Sequence, residues 1–234
     1  GDDMEVTFVP VTAGTKTAIV TFHDDNMTYH LHLEAIATDQ TLSFGTIVIG
    51  QASTIGQIDI SAITATNIES DGNIRLVVNG TEHELPYTGE LNGTLLFKYY
   101  PTEVETNAAH TLTINGTQTV NYTLNSTQQT IAFAETPSGS SSAVQQFVMS
   151  NFVGQGAMTA YTSSNEFTIN GVRHSSENPC TIGNGATLDI DFSPLGTCDF
   201  TTTPAQLTIN ENGTLYNINL TGKTADIQPI GFNT

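Results

Sequence analysis

The sequence predicts an all-β chain of tandem immunoglobulin-like β-sandwich repeats, and three observations carry that prediction. Thr, Asn, Gly, Ser, Val and Ile recur along the 234 residues, while the helix-formers Lys, Arg and Glu are sparse. β-branched residues suit a pleated, half-buried surface, and Asn and Gly supply the positive φ of tight hairpins. An aromatic-x-Pro signature recurs at Phe8/Pro10, Tyr99/Pro101 and Phe192/Pro194, its prolines 91 and 93 residues apart. A hairpin dipeptide follows each signature: Asp25-Asn26, Asn115-Gly116 and Asn212-Gly213.

The elements repeat in the same order. Met4–Pro10, Leu95–Pro101 and Leu188–Pro194 are each a strand ended by proline, which cannot donate to a ladder. Ala18–Phe22, Thr111–Ile114 and Gln206–Ile209 are the next strands. Each turns through its hairpin into Tyr29–Leu33, Val120–Leu124 or Tyr216–Leu220. Repeat openings fall at Leu42-Ser43-Phe44-Gly45 and Ile131-Ala132-Phe133-Ala134, and a third begins at Ile230-Gly231-Phe232. The expected organisation is therefore the C-terminal half of a repeat over 1–39 and whole repeats over 40–128 and 129–224. The start of another strand follows over 225–234. A half of three strands cannot bury its own inner face. It belongs to a longer array, or is completed by a partner, or packs in some other way on the next repeat.

The opening Phe44-Gly45-Thr46-Ile47-Val48-Ile49-Gly50-Gln51 resembles the ASPM–SPD-2–Hydin and major-sperm-protein-like modules, including the repeats of "choice-of-anchor D" surface proteins. Phe192-Ser193-Pro194-Leu195-Gly196 matches the second motif of that pattern, as does Phe8-Val9-Pro10 with Ala13-Gly14. Phe133-Ala134-Glu135 and Tyr99-Tyr100-Pro101 depart from it. The resemblance implies a seven-stranded sandwich used as spacer, scaffold or binding module, with no catalytic residues to carry over.

Five Lys and Arg stand against 23 Asp and Glu, giving a formal net charge of −18. Such a chain repels phosphate backbones and anionic membranes, which sets nucleic acid aside as a partner. No run approaches the ~20 apolar residues of a membrane span. Gly1-Asp2-Asp3-Met4 is not a signal peptide, so any export signal is expected outside this stretch. Neither a G-x-S-x-G elbow nor a P-loop nor G-x-G-x-x-G occurs. His83-Glu84 begins like a zinc-protease helix motif, but Tyr87 stands where the second His should be and Pro86 breaks any helix.

Alternation along the first hairpin puts Ala18, Val20, Phe22, Tyr29, Leu31 and Leu33 on one face, and His23, His30, His32 and Glu34 on the other. Histidines at i and i+2 on a strand can ligate a transition metal, and His23 is a diagonal neighbour of His30. Calcium, which takes hard oxygen ligands, is the ion expected of Asp24, Asp25 and Asn26, of Asp2, Asp3 and Asp39, or of Asp189 and Asp191. Turn chemistry alone also explains acids in such places. A structural disulfide is expected between the two cysteines, Cys180 and Cys198. Phe97 and Tyr99 should be core and Tyr100 should face outward, a thin basis for a sugar platform beside Tyr87 and Tyr161. Four of the eight Asn-x-Thr sequons are Asn-Gly-Thr (at 79, 92, 115 and 212), which reads as turn chemistry more than glycosylation.

The expected function is a non-catalytic structural or adhesive module of a secreted or cell-surface protein, its partners a protein or glycan at the surface and neighbouring repeats. Alternatives are a filament subunit assembled by strand addition, and a carbohydrate- or Ca²⁺-binding accessory module.

Overall fold

The fold is described from a computed structural model covering residues 6, 14–24, 27–37, 40–61, 63–148, 157–183 and 185–226. It is all-β: nineteen strands and no helix among the described residues. Two units divide the chain, one of residues 1–44, 55–98 and 107–124, the other of 45–54, 99–106 and 125–234.

In the first unit, β1 (Gly14–Asp24) and β2 (Met27–Ala37) form a two-stranded antiparallel sheet of their own. Six further strands follow: β4 (Gly56–Asp59), β5 (Ala65–Ser70), β6 (Ile74–Val78), β7 (Thr81–His83), β8 (Tyr87–Leu91) and β9 (Thr94–Tyr99). β10 (Ala108–Ile114) and β11 (Gln118–Thr127) close it as a hairpin. One sheet runs β11-β10-β5-β8 and another β4-β9-β6-β7. Alternation buries Leu112, Ile114, Tyr122 and Leu124 from the first, and Ile58, Leu76, Leu95 and Phe97 from the second. The opening segment touches the closing hairpin in parallel, at Leu42 and Tyr122.

The last residues of β11 pass into the second unit, where Asn125–Thr127 pair in parallel with β3 (Thr46–Val48). There β12 (Thr130–Ala132), β14 (Met158–Thr162), β16 (Cys180–Ile182), β18 (Ala205–Glu211) and β19 (Thr214–Thr221) form a sheet in the order β12-β19-β18-β14-β16. β13 (Gln145–Val148), β15 (Phe167–Ile169) and β17 (Thr187–Phe192) form the second sheet, β13-β17-β15. Side chains of both sheets meet in one core: Phe147, Phe167, Leu188, Ile190 and Phe192 with Leu207, Ile209, Tyr216, Ile218 and Leu220. Two sheets sharing one core are consistent with a β-sandwich.

The partner order is the same in both units. A closing hairpin (β10-β11 or β18-β19) lies beside an earlier strand (β5 or β14), and then β8 or β16. The turn chemistry follows the sequence. Asn115 and Gly116 have φ of 53° and 70°, and Asn212 and Gly213 have 50° and 97°. Two successive left-handed residues give the twist of a type I′ turn, which Asn-Gly adopts at least cost.

The outcome differs from expectation at Tyr100. Only 1% of it is exposed, and it lies in the core of the second unit. Strict alternation gives out there because β9 ends at Tyr99, so Tyr100 is free of the ladder's inward-outward rule. The strand expected over Met4–Pro10 and the opening at Ile230–Phe232 lie outside the described residues, Val6 excepted.

Candidate binding surface

The strands of the β12-β19-β18-β14-β16 sheet turn one set of side chains into the core and the other outward. The outward set is Thr130, Ala132, Thr159, Tyr161, Thr181, Gln206, Thr208, Asn210, Leu215, Asn217, Asn219 and Thr221, of which Thr208 is buried among its neighbours and Leu215 is exposed. Register lines them up in rows: Tyr161 opposite Thr208, Thr208 opposite Asn217, Gln206 opposite Asn219, and Asn219 opposite Thr130. Thr208 Oγ1 donates to Asn217 Oδ1 at 2.8 Å, and Gln206 Nε2 to Asn219 Oδ1 at 2.6 Å. Among these strands Glu211 is the single charged residue, and it is buried, accepting from the Tyr216 hydroxyl at 3.1 Å. On a chain of net charge −18 this face is uncharged, mostly amides and hydroxyls, with the ring of Tyr161 and the exposed apolar side chain of Leu215. Sequence reading missed it by looking for aromatic platforms; the Gln-x-Thr-x-Asn and Asn-x-Asn alternation was the available signal.

The Thr–acceptor pair recurs on other hairpins. Thr111 Oγ1 faces Asn121 Oδ1 at 3.4 Å, and Thr21 Oγ1 faces His30 Nδ1 at 3.1 Å. Such cross-strand pairs stabilise the outer face and fix side-chain rotamers.

The polar clusters elsewhere are tied into the framework. Asp191, buried, accepts from the hydroxyls of Thr168 and Ser193. Arg173 Nη2 donates to the Ser193 carbonyl at 2.9 Å, and its Nε to the Asn165 carbonyl at 2.7 Å. Arg75 and Glu82 are both buried, 3.9 Å apart, and Lys98 Nζ reaches the same carboxylate at 2.8 Å. Burial, reinforced by the Glu105 carboxylate that accepts from its hydroxyl, holds the Tyr99 phenol far above its usual range. The His110 ring stacks on Tyr122, and its Nδ1 lies 3.2 Å from Asp71 Oδ1. That carboxylate also accepts from the Thr111 backbone amide at 2.8 Å. These groups hold strands and loops together.

The structure sets His23 opposite Thr28 and His30 opposite Thr21, so the two histidines are diagonal neighbours as expected. His23 Nδ1 is 3.1 Å from Thr28 Oγ1, and His32 stands opposite Ile19. Among the described residues no group of three or more His, Cys, Asp or Glu side chains is gathered to hold a metal. Asp2, Asp3, Asp25, Asn26 and Asp39 lie outside the described residues, as does the side chain of Asp24. Asp189 accepts from Gln146 Nε2 at 3.0 Å, while Asp191 belongs to the buried cluster above.

The structure does not form the expected disulfide; Cys180 and Cys198 are free. Each sulfur is engaged locally instead: Cys180 donates to the Ala160 carbonyl at 3.3 Å, and Cys198 Sγ lies 3.2 Å from Thr224 Oγ1.

No family model and no curated protein matches the chain. Among solved structures it is similar to an endo-fucoidan hydrolase of glycoside hydrolase family 107, at 7% identity and a TM-score of 0.26 over 92% of this chain and 34% of that one. It is also similar to SGBP-B of the Bacteroides ovatus mixed-linkage glucan utilization locus, solved in complex with a mixed-linkage heptasaccharide. That match has 12% identity and a TM-score of 0.22, over 90% of this chain and 53% of the other. A third is the IG1+IG2 segment of DIP-gamma, at 10% identity and a TM-score of 0.21 over 77% and 93% of the two chains. The chain thus spans about a third of the fucoidan hydrolase and about half of the glucan-locus protein. Likeness at this level assigns neither a family nor an activity.

Proposed function

We propose that this chain is a non-catalytic, adhesive module of a secreted or cell-surface protein, built of tandem immunoglobulin-like repeats, and that the outer face of its β12-β19-β18-β14-β16 sheet meets neutral glycans. The observation that carries this reading is the absence of any outward charge on the strands of that sheet, in a chain of −18. Sugar hydroxyls both donate and accept, and so do Asn, Gln and Thr, whereas a carboxylate only accepts. Tyr161 adds a ring against which the apolar face of a pyranose can lie. Recurrence of the strand order β11-β10-β5-β8 as β19-β18-β14-β16 supports the repeat reading. The tying of Asp191, Ser193 and Glu82 into framework contacts supports a role without catalysis.

An array of neutral polysaccharides, probed with the chain and with Tyr161→Ala and Gln206→Ala, tests the proposal. Retention of a neutral glycan that weakens about tenfold in Tyr161→Ala, equivalent to ~1.4 kcal/mol, is the expected result. A blank array, or binding that ignores both substitutions, overturns it.

A further inference from the structure

The β1-β2 and β18-β19 hairpins have the same register and spacing. Ala18↔Leu33, Val20↔Leu31 and Phe22↔Tyr29 are cross-strand pairs in one; Ala205↔Leu220, Leu207↔Ile218 and Ile209↔Tyr216 are the pairs in the other. The stretches Ala18–Leu33 and Ala205–Leu220 have equal length and align without a gap. Thr21 falls on Thr208, Tyr29 on Tyr216, and His30 on Asn217, so the outer-face hydrogen bond is kept as well. Their surroundings are opposite. Ile209, Tyr216 and Ile218 are 0%, 1% and 0% exposed, while Phe22, Tyr29 and Leu31 are 39%, 50% and 44% exposed.

The second unit shows what covers such a hairpin. β14 pairs antiparallel with β18, Thr162 opposite Leu207 and Ala160 opposite Ile209. β12 pairs in parallel with β19, Ile131 opposite Leu220. Phe147, Phe167 and Ile190 close the core over the apolar face. β1 and β2 pair with each other alone among the described strands. Edges unpaired among the described strands, beside an apolar face on which Phe22, Tyr29 and Leu31 are exposed, invite strand addition and burial.

We infer that β1-β2 is the closing hairpin of a further repeat, and that its apolar face and edges dock the front half of a repeat of the same type, equivalent to β12 through β16. The docked partner lays a parallel strand beside β2, an antiparallel strand beside β1, and aromatic and aliphatic side chains over Val20, Phe22, Tyr29 and Leu31. Glycan binding by the second unit is not needed for this docking.

The test supplies that front half. Residues 129–186 are duplicated ahead of Gly1 of the full chain, and amide exchange over 18–33 is compared with the unextended protein. The expected result is exchange slowed at least about tenfold in both strands, as the hairpin moves from a locally opening element into a core. Leu31→Asp in the chimera should restore fast exchange, yet leave the melting of the unextended chain unchanged. A second chimera carrying residues 40–93, the equivalent piece of the first unit, repeats the test should the first not fold. Unslowed exchange in both chimeras overturns the inference. So does concentration-dependent protection of 18–33 in the unextended chain with growth in light scattering, which would make a second copy the occupant.

Discussion

Asn115 accepts through Oδ1 from the backbone amides of Thr66 and Asn67, at 2.7 and 3.2 Å, and donates through Nδ2 to the Thr64 carbonyl at 2.8 Å. Its own φ is 53°, a left-handed conformation that Asn tolerates better than most residues. Asn115→Ala removes these bonds and keeps a Cβ in the left-handed region, at a cost of about 2–3 kcal/mol. Asn115→Gly relieves the conformation without restoring the bonds, so the difference between the two variants in urea unfolding separates the contributions. The same geometry bears on the sequon, since a glycan on Nδ2 would displace the bond to Thr64; intact-mass measurement should find Asn115 unmodified. A second single-residue effect concerns Cys180, whose thiol is pushed up by burial, offset in part by backbone hydrogen bonding that involves Ala160 and Cys180 itself. A raised value means the folded state prefers the thiol. That contribution is full below the unfolded pKa of about 8.5 and is lost as pH rises through the folded value. Alkylation of Cys180 by iodoacetamide at pH 8.5 should accordingly be slower in the folded chain than in urea.

Equivalent side chains on the two matching hairpins give a paired experiment. Leu207 on β18 is fully buried in the core of the second unit. Leu207→Ala removes three carbons from a packed site and should cost ~2–5 kcal/mol. Val20 occupies the same register position on β1 but is half exposed, so Val20→Ala should cost under about 0.5 kcal/mol. Chemical denaturation of both variants checks the contrast, and comparable costs would mean that the first hairpin already has a covered face. Hairpins were the legible part of this sequence: alternation, a proline stop and Asn-Gly each specify local geometry, and they agree at β10-β11 and β18-β19. Tyr100 was not legible, because its burial comes from a core assembled from strands distant in sequence. The free state of Cys180 and Cys198 was equally hidden, since two cysteines 18 residues apart carry no information on whether their Cβ atoms converge. The neutral outer face lay in plain alternation, but its meaning depends on which strands sit side by side, and that is set by pairing of β14 with β18 across more than forty residues.

Summed over the chain, 23 carboxylates against five cations leave the folded state under net self-repulsion that water and salt must screen. Raising NaCl from low to about 0.5 M shortens the screening length to roughly 4–5 Å and should raise the melting temperature by a few degrees. Calcium offers a sharper comparison. A chloride salt of calcium at the same ionic strength screens nearly as NaCl does, so nonspecific action predicts matching melting curves. Specific binding needs several hard oxygens converging on one ion, and among the described residues no three His, Cys, Asp or Glu side chains gather to hold one. The two salts should then give the same melting temperature within about a degree, and EDTA should change nothing beyond its own ionic strength. An excess stabilisation by calcium that saturates and is reversed by EDTA would point to acids outside the described residues, Asp2, Asp3, Glu5, Asp25 and Asp39, or to the Asp24 side chain. Alanine at Asp25 and at Asp39 would then tell the link between β1 and β2 from the stretch that follows β2. Calcium would then become a second variable in the exchange experiment on the chimera.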